Sequence, residues 1–377
     1  MFSANKYLED AINKRISSGS FRSLKVLYDL VDFCSNDYLG FSITGALRAK
    51  ILEFAQKKNG QVFEGSTGSR LLSGNSAVAE SLETYVASYH DAEAALLFNS
   101  GYDANTGLFS CVPKRNDTIL YDELVHASIR DGIRLSYAKA YSFRHNDLSH
   151  LEELALHAKG NVFVAVESVY SMDGDMAPLA ELAAFCENHN ANLIVDEAHA
   201  TGVFGYQGKG CVCDLTLEGK IFARVHTYGK AMGTHGAAVI GSKLLKEYLV
   251  NFARSFIYTT ALPYHSLIAI KCAYELLSES NEMMNSLHEN IKMYSRLAAR
   301  SGKLNILKST SPIQCIIIQG NEKVLTAAQN IQKKGFDVRP IMSPTVPAGK
   351  ERLRICIHAF NTEEEIKRLV GTIENSL

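Results

Sequence analysis

The sequence predicts an α/β protein: a largely parallel sheet, followed by a smaller α+β unit. Two observations carry this. Short apolar runs rich in β-branched residues (94–98, 162–166 and 192–195) are separated by helix-like stretches at 45–58, 76–90 and 148–158. That alternation marks strands buried on both faces of a parallel sheet. After Pro263 the order changes. One long helical stretch over about 264–300 leads into the run 313–318, a further helix, and then the run 352–357. Strands that follow a long helix read as a separate unit.

The expected division is therefore an N-terminal arm over residues 1–44, a large domain over 45–263 and a small domain over 264–377. Within the arm, residues 4–17 form a short polar helix. Another apolar stretch, Ile221–Val225, lies between the run ending at Asp196 and the segment around Lys230, a reasonable strand-to-strand separation. Ligand sites in such a fold lie at the C-terminal ends of strands and between domains.

A chain of 377 residues with 46% hydrophobic content buries a core without disulfide or metal support. Lysine and arginine number 39 against 40 acidic residues, a net charge of −1. No global field favours nucleic acid or an anionic membrane, so any anionic ligand needs a local site. The 8 cysteines show no C-x-x-C spacing, which disfavours a zinc site or a disulfide framework. Cys211 and Cys213 read either as a redox pair or as small loop residues. The N-terminus has no apolar signal core and no stretch reaches the roughly 20 apolar residues of a membrane span, so the cytoplasm is expected.

Three segments carry chemistry. In Thr227-Tyr228-Gly229-Lys230-Ala231-Met232-Gly233 a lysine sits among glycines, as a surface cation or as a placed amine. A Schiff-base lysine needs its amine deprotonated by its surroundings. In Leu193-Ile194-Val195-Asp196-Glu197-Ala198-His199 an apolar run ends in Asp196. A carboxylate there is costly unless paired; it either caps the following turn or holds a proton on a pyridinium nitrogen, which makes a pyridoxal phosphate ring an electron sink. In Phe98-Asn99-Ser100-Gly101-Tyr102 a strand runs into a helix start, where backbone N–H groups can bind phosphate. Neither a Gly-x-Gly-x-x-Gly fingerprint nor a P-loop is present, which disfavours a dinucleotide or ATP. His126 is ambiguous by itself, as a structural or a ligand-facing ring.

Taken in order, the motifs resemble the α-oxoamine synthases, a branch of the fold-type I pyridoxal-phosphate (PLP) enzymes. The set runs Ser35-Asn36-Asp37-Tyr38-Leu39-Gly40, Gly65–Gly74, Ser100-Gly101-Tyr102, His126-Ala127-Ser128, Glu167–Asp175, Val195–His199, the lysine loop, Pro344–Gly349 and Arg352-Leu353-Arg354. The resemblance covers nearly the whole chain. It implies a mostly parallel seven-stranded sheet in a PLP-binding large domain. Lys230 would carry the cofactor as a Schiff base and then take the substrate α-proton. Asp196 would pair with the ring nitrogen, His199 with the ring oxygen, and His126 would stack on the ring. Ser100, Gly101, Tyr102, Glu167, Ser171 and Thr227 would seat the cofactor and its phosphate. Thr259 and Thr260 would reach the phosphate of a neighbouring subunit in a homodimer. Arg354 would grip the amino-acid carboxylate, with Asn36 nearby, and Arg22 and Thr345 would lie near the acyl substrate. No metal is implied. Two positions depart from the family: Thr67, where a second glycine is frequent, and Tyr264, where a second proline is.

Within the family, Gly233-Thr234-His235-Gly236-Ala237-Ala238-Val239, with 343–349 and 356–361, is similar to the branch that joins L-alanine to a pimeloyl thioester on the way to biotin. The thioester carrier, coenzyme A or acyl carrier protein, stays open. So do branches that take glycine with an acetyl thioester or serine with a palmitoyl thioester. A non-catalytic partner subunit would lack the lysine, and a dehydrogenase would carry the missing glycine fingerprint.

Overall fold

The apolar runs form strands because each is buried on both faces. In a computed structural model of the chain, residues 4–24, 29–57 and 65–376 are described. The chain divides into two compact units, one of Asn36–Ser171 and Asp175–Asn285, the other of Met1–Ser35, Met172–Gly174 and Ser286–Leu377.

The first unit holds a seven-stranded sheet: β1 (Ala94–Phe98), β2 (Thr118–Asp122), β3 (Lys139–Phe143), β4 (Val162–Glu167), β5 (Ala191–Asp196), β6 (Ala223–Thr227) and β7 (Ala237–Gly241). Their order is β1-β7-β6-β5-β4-β2-β3. Only β7 runs antiparallel to its neighbours; the other pairings are parallel. Side chains alternate between two cores. Ile194 joins Phe98, Leu108 and Phe163 on one face, while Leu193 and Val195 join Val164, Leu182 and Cys186 on the other. This two-residue period is what a strand covered on both sides requires.

Three strands were not anticipated. β3 is an edge strand whose residues are mostly exposed, so its sequence carries no apolar run. The β7 residues were read as part of the lysine loop; they are instead the fully paired antiparallel strand, and small residues let it lie between β1 and β6. β2 is too short and mixed to stand out. The expected helices at 76–90 and 148–158 are Ala77–Tyr89 and Leu148–Ala155. That at 45–58 is Ala46–Lys57, residue 58 lying outside the described residues. Ser76 and Ser100 cap the helices Ala77–Tyr89 and Gly101–Cys111, each accepting an N–H of the first turn.

The long helix expected over 264–300 is two helices, Tyr264–Ser278 and Asn281–Arg300. The break falls in Ser-Glu-Ser-Asn, where short polar side chains compete for backbone groups; Ser280 Oγ turns back to the Leu276 carbonyl at 2.6 Å. The second unit contains an antiparallel sheet of β8 (Ile313–Ile317), β9 (Arg339–Ile341) and β10 (Arg352–Cys356), ordered β9-β10-β8. Helices Asn321–Lys333 and Glu363–Glu374 belong to it, as does the arm helix Ala4–Ser17. Met172 and Asp173 also fall in this unit, where Arg352 Nη1 donates to the Met172 carbonyl at 3.2 Å and pairs with Asp173.

Leu193 is fully buried in the middle of β5. Leu193→Ala is expected to cost about 2–5 kcal/mol and to lower the urea midpoint of the large-domain transition. An unchanged midpoint would remove Leu193 from the core.

Candidate active site

Four strands of the parallel set end in polar residues on the same edge: Asp122, Glu167, Asp196 and Thr227. Glu167 and Asp196 are register partners on β4 and β5, and both are buried. Two carboxylates side by side in a dry site cannot both ionise cheaply. Burial and the charge of Asp196 push the Glu167 carboxyl well up, so it stays protonated near neutrality.

Asp196 lies within a set of donors. Asn105 Nδ2 donates to Oδ2 at 2.7 Å and the Ala198 N–H to Oδ1 at 2.9 Å. The second proton of Asn105 Nδ2 goes to Ser128 Oγ at 3.0 Å. Ser128 Oγ lies 2.8 Å from His126 Nδ1, which also accepts the Ser128 N–H at 3.2 Å. Asn105 thus joins Asp196 to His126, with Nδ1 of that imidazole as an acceptor. Burial lowers the His126 pKa against the pull of Asp196, and the positive charge of Lys230 adds to the lowering. The ring is neutral at pH 7. Asn105 had no role assigned from the sequence; its signal was a buried amide in a small-residue helix.

A second chain of hydrogen bonds leads from Lys230. Its Nζ lies 2.9 Å from His199 Nε2, and His199 Nδ1 lies 2.8 Å from the Tyr38 hydroxyl, which donates to Asn36 Oδ1 at 3.1 Å. With the Tyr38 proton directed to Asn36, His199 Nδ1–H can donate to Tyr38, which leaves Nε2 to accept from Lys230. Tyr38 is the second residue the sequence reading passed over, although its motif was noted.

Ser100 Oγ accepts the Asp103 N–H at 3.1 Å and opens the helix Gly101–Cys111, whose free N–H groups make an anion cradle. A Cβ at Gly101 would come 2.4 Å from Thr227 Oγ1, so glycine keeps the helix start close to β6. Tyr102 is half exposed and donates to Asp131; Ser171 is buried four residues beyond β4. Asn99 Nδ2 donates to Thr259 Oγ1 at 3.0 Å and to the Thr260 carbonyl at 2.9 Å. With Arg70 and Ser255 these line a narrow pocket.

Arg22, Thr345 and Arg354 belong to the other unit. There Arg22 Nη2 donates to Thr345 Oγ1 at 3.1 Å, beside a cavity of about 600 Å³ lined also by Arg15 and Ser20. Arg354, on β10, directs Nη1 to Cys356 Sγ at 3.0 Å. The Cys211 and Cys213 thiols are pushed up by burial, Cys213 to about 12, which disfavours the reactive thiolate of a redox pair.

Residues 28–373 match the family described as aminotransferase class I and II. The chain is 43% identical to an 8-amino-7-oxononanoate synthase of Emericella nidulans, over 97% of this chain and 94% of that one. It is 38% identical to one from Marinobacter nauticus, over 92% and 87%. Among solved structures, a serine palmitoyltransferase from S. paucimobilis with bound PLP-myriocin aldimine superposes with a TM-score of 0.90 at 26% identity, covering 100% of this chain and 98% of that one. An 8-amino-7-oxononanoate synthase from Francisella tularensis gives 0.79 at 30%, covering 92% and 97%.

Gly101→Ala is expected to move the Thr227 hydroxyl and weaken pyridoxal phosphate binding by about tenfold or more, since several N–H contacts to phosphate shift together. Equilibrium dialysis measures this. Wild-type affinity in the variant would take the helix start out of the cofactor site.

Proposed function

The chain belongs to the aminotransferase class I and II family, and from that premise we propose that it condenses L-alanine with a pimeloyl thioester to give 8-amino-7-oxononanoate in biotin biosynthesis. The observation that carries the chemistry is the pair of hydrogen-bond chains, one ending on Lys230 Nζ and the other on the Asp196 carboxylate. The choice of substrates is supported by the 43% identity to the E. nidulans enzyme over nearly the full length of both chains.

The cofactor of this reading is pyridoxal phosphate, and the residues fit it. Glu167 Oε1 is buried with no hydrogen-bond partner among the described residues, a polar atom that a bound cofactor would satisfy. Glycine at 101 brings the helix start, with its first N–H groups, against Thr227 Oγ1 at the end of β6. Lys230 would hold the cofactor, with Ser100, Tyr102, Ser171 and Thr227 around its phosphate end. When bound, pyridoxal phosphate supplies the electron sink that makes the alanine Cα nucleophilic. Lys230, held against His199 Nε2, removes the α-proton and later returns it. Asp196 carries the negative charge that keeps the ring nitrogen protonated, and its two donors fix the carboxylate without neutralising it. His126, neutral and anchored through Ser128, would pack against the cofactor. The new bond joins Cα to the acyl carbon; the thiol departs, and the former alanine carboxylate leaves as carbon dioxide. Arg354 would grip that carboxylate with Asn36 near it, and Arg22 and Thr345 would face the acyl chain.

The reading includes a cytoplasmic homodimer in which Thr259 and Thr260 serve the partner's phosphate. Eight free cysteines suit a reducing compartment. Among the described residues no helix is long and apolar enough to cross a membrane. Light scattering should return a dimer at working concentration; an active monomer overturns this part.

The deciding experiment is a matrix of amino acids against acyl thioesters, read by mass spectrometry. Pimeloyl thioester with L-alanine should exceed acetyl, succinyl and palmitoyl thioesters by well over about tenfold in kcat/KM: over the two shorter chains because each further buried methylene contributes about 0.8 kcal/mol, and over palmitoyl because a channel whose far end is polar enough for the distal carboxylate does not suit a long apolar tail. Glycine should react more slowly but detectably, because one methyl discriminates by only about 1–3 kcal/mol. Lys230→Ala should lose turnover by roughly 10²-fold or more while retaining bound cofactor. Glycine with acetyl thioester winning, or serine with palmitoyl thioester, would overturn the substrate assignment and leave the cofactor chemistry standing.

A further inference from the structure

Asp122, fully buried at the end of β2, holds more than the turn that follows it. Its Oδ1 accepts the Leu124 N–H at 2.8 Å, and its Oδ2 accepts the Asn146 N–H at 2.9 Å. His145 Nδ1 lies 3.0 Å from the same Oδ1. The turn fixed in this way runs directly into His126. On the far side of the imidazole, His145 Nε2 lies 2.6 Å from Asp175 Oδ2. Asn146 Nδ2 donates to that oxygen at 3.1 Å and to the Met176 carbonyl at 3.2 Å. Asp175 stands on the returning arm of the excursion that leaves β4 and carries Ser171. That arm is closed by the Tyr170 N–H on the Asp175 carbonyl at 3.0 Å and by a bridge between Val169 and Met176.

Both ring nitrogens of His145 face carboxylates, so each must donate, and the ring is an imidazolium. Burial works against the charge, but the hydrogen bonds and charges of Asp122 and Asp175 outweigh it and lift the group to about 10. The Tyr170 ring stands edge-on to it, with centroids 4.5 Å apart. Glu123 Oε1 accepts the His145 N–H at 3.1 Å, while the neighbouring Arg144 is turned to Asp147 at 2.7 Å. A buried asparagine would cap the turn after β2 at less desolvation cost than a buried ion pair. The charged triad is therefore more than a turn needs, and what it adds is a link between two segments far apart in the chain.

We propose that His145 is a positioning residue: through Asp122 and Asp175 it ties the turn bearing His126 to the excursion bearing Ser171 and so fixes the spacing of two cofactor-facing side chains. This rests on the reading of His126 and Ser171 given above. The tie is charge-dependent. Because its folded pKa is raised, the contribution of His145 to stability is full below the ordinary imidazole value of about 6.5. It declines above that and is gone once the pH passes about 10.

The test uses the full-length holoenzyme with His145→Gln and Asp175→Asn, singly and together. His145→Gln should keep the far-ultraviolet dichroism of the parent and weaken pyridoxal phosphate binding by about tenfold in equilibrium dialysis. Its kcat at saturating cofactor should fall by about ten- to a hundredfold, as misplacement of a ligand-facing group does, with the KM for alanine within about threefold. Asp175→Asn should reproduce these losses, since it cuts the same tie and leaves the turn after β2 intact. The double variant should be no worse than His145→Gln, the mark of one coupled unit. The gap in urea midpoint between wild type and His145→Gln should narrow from pH 7 to pH 10. Folded variants with wild-type cofactor affinity and kcat overturn the tie, whatever stability they have lost. If His145→Gln does not fold, Asp175→Asn alone decides by the same readouts. Wild-type protein that binds no pyridoxal phosphate overturns the functional reading and the tie with it.

Discussion

The constraint on which the site depends is a single negative charge held at the C-terminal end of β5. Asp196 is buried, and an isolated carboxylate there would cost several kcal/mol or simply take up a proton. Two donors, Asn105 Nδ2 and the Ala198 N–H, hold its two oxygens, and neither brings a positive charge to the site. The field of Asp196 is therefore available to whatever sits in front of it. Its consequences spread along the strand ends. Glu167, one strand over and in register, is held neutral by burial first and by the Asp196 charge second, while burial lowers His126 against the pull of Asp196.

Parallel strands make this arrangement possible. Because β2, β4, β5 and β6 all end on one edge, four polar residues from four separate segments come together without any loop having to be long. Buried strands supply rigidity, and hydrogen bonds between segments supply spacing. Asn105 on a helix joins β5 to the turn after β2; His145 joins that turn to the excursion after β4. A site assembled on strand ends is fixed by the sheet, and its remaining freedom is removed by a few side chains that touch no ligand themselves.

Legibility in the sequence followed the same division. Strands buried on both faces announced themselves as apolar runs, so β1, β4 and β5 were visible, whereas the exposed edge strand β3 and the small-residue β7 were not. Lys230 and Asp196 stood out because each is a chemically expensive residue beside an apolar or glycine-rich segment, whereas His126 was ambiguous alone and, like His199, took its role from the family resemblance. The hydrogen bonds among Lys230, His199, Tyr38 and Asn36 could not be read, since they join residues distant in the chain. Asn105, Tyr38 and His145 were missed for one reason. Their residue types are ordinary, and only their partners give them meaning.

A shared fold and a shared cofactor do not by themselves set the substrates. A serine palmitoyltransferase shares this backbone to a TM-score of 0.90, closer than the 0.79 of an oxononanoate synthase, yet the identity to named synthases of the latter kind reaches 43%. Backbone likeness therefore does not separate the two kinds of enzyme, whereas sequence identity does. The residues that set up that reaction lie in the first unit, while Arg22, Thr345 and Arg354 lie in the second. Such a separation lets one part of the chain hold the charge at Asp196 and the amine at Lys230 unchanged while another is altered to suit a different thioester. In the reading proposed above, acyl selectivity would rest on Arg22 and Thr345 in the second unit, where each buried methylene contributes about 0.8 kcal/mol.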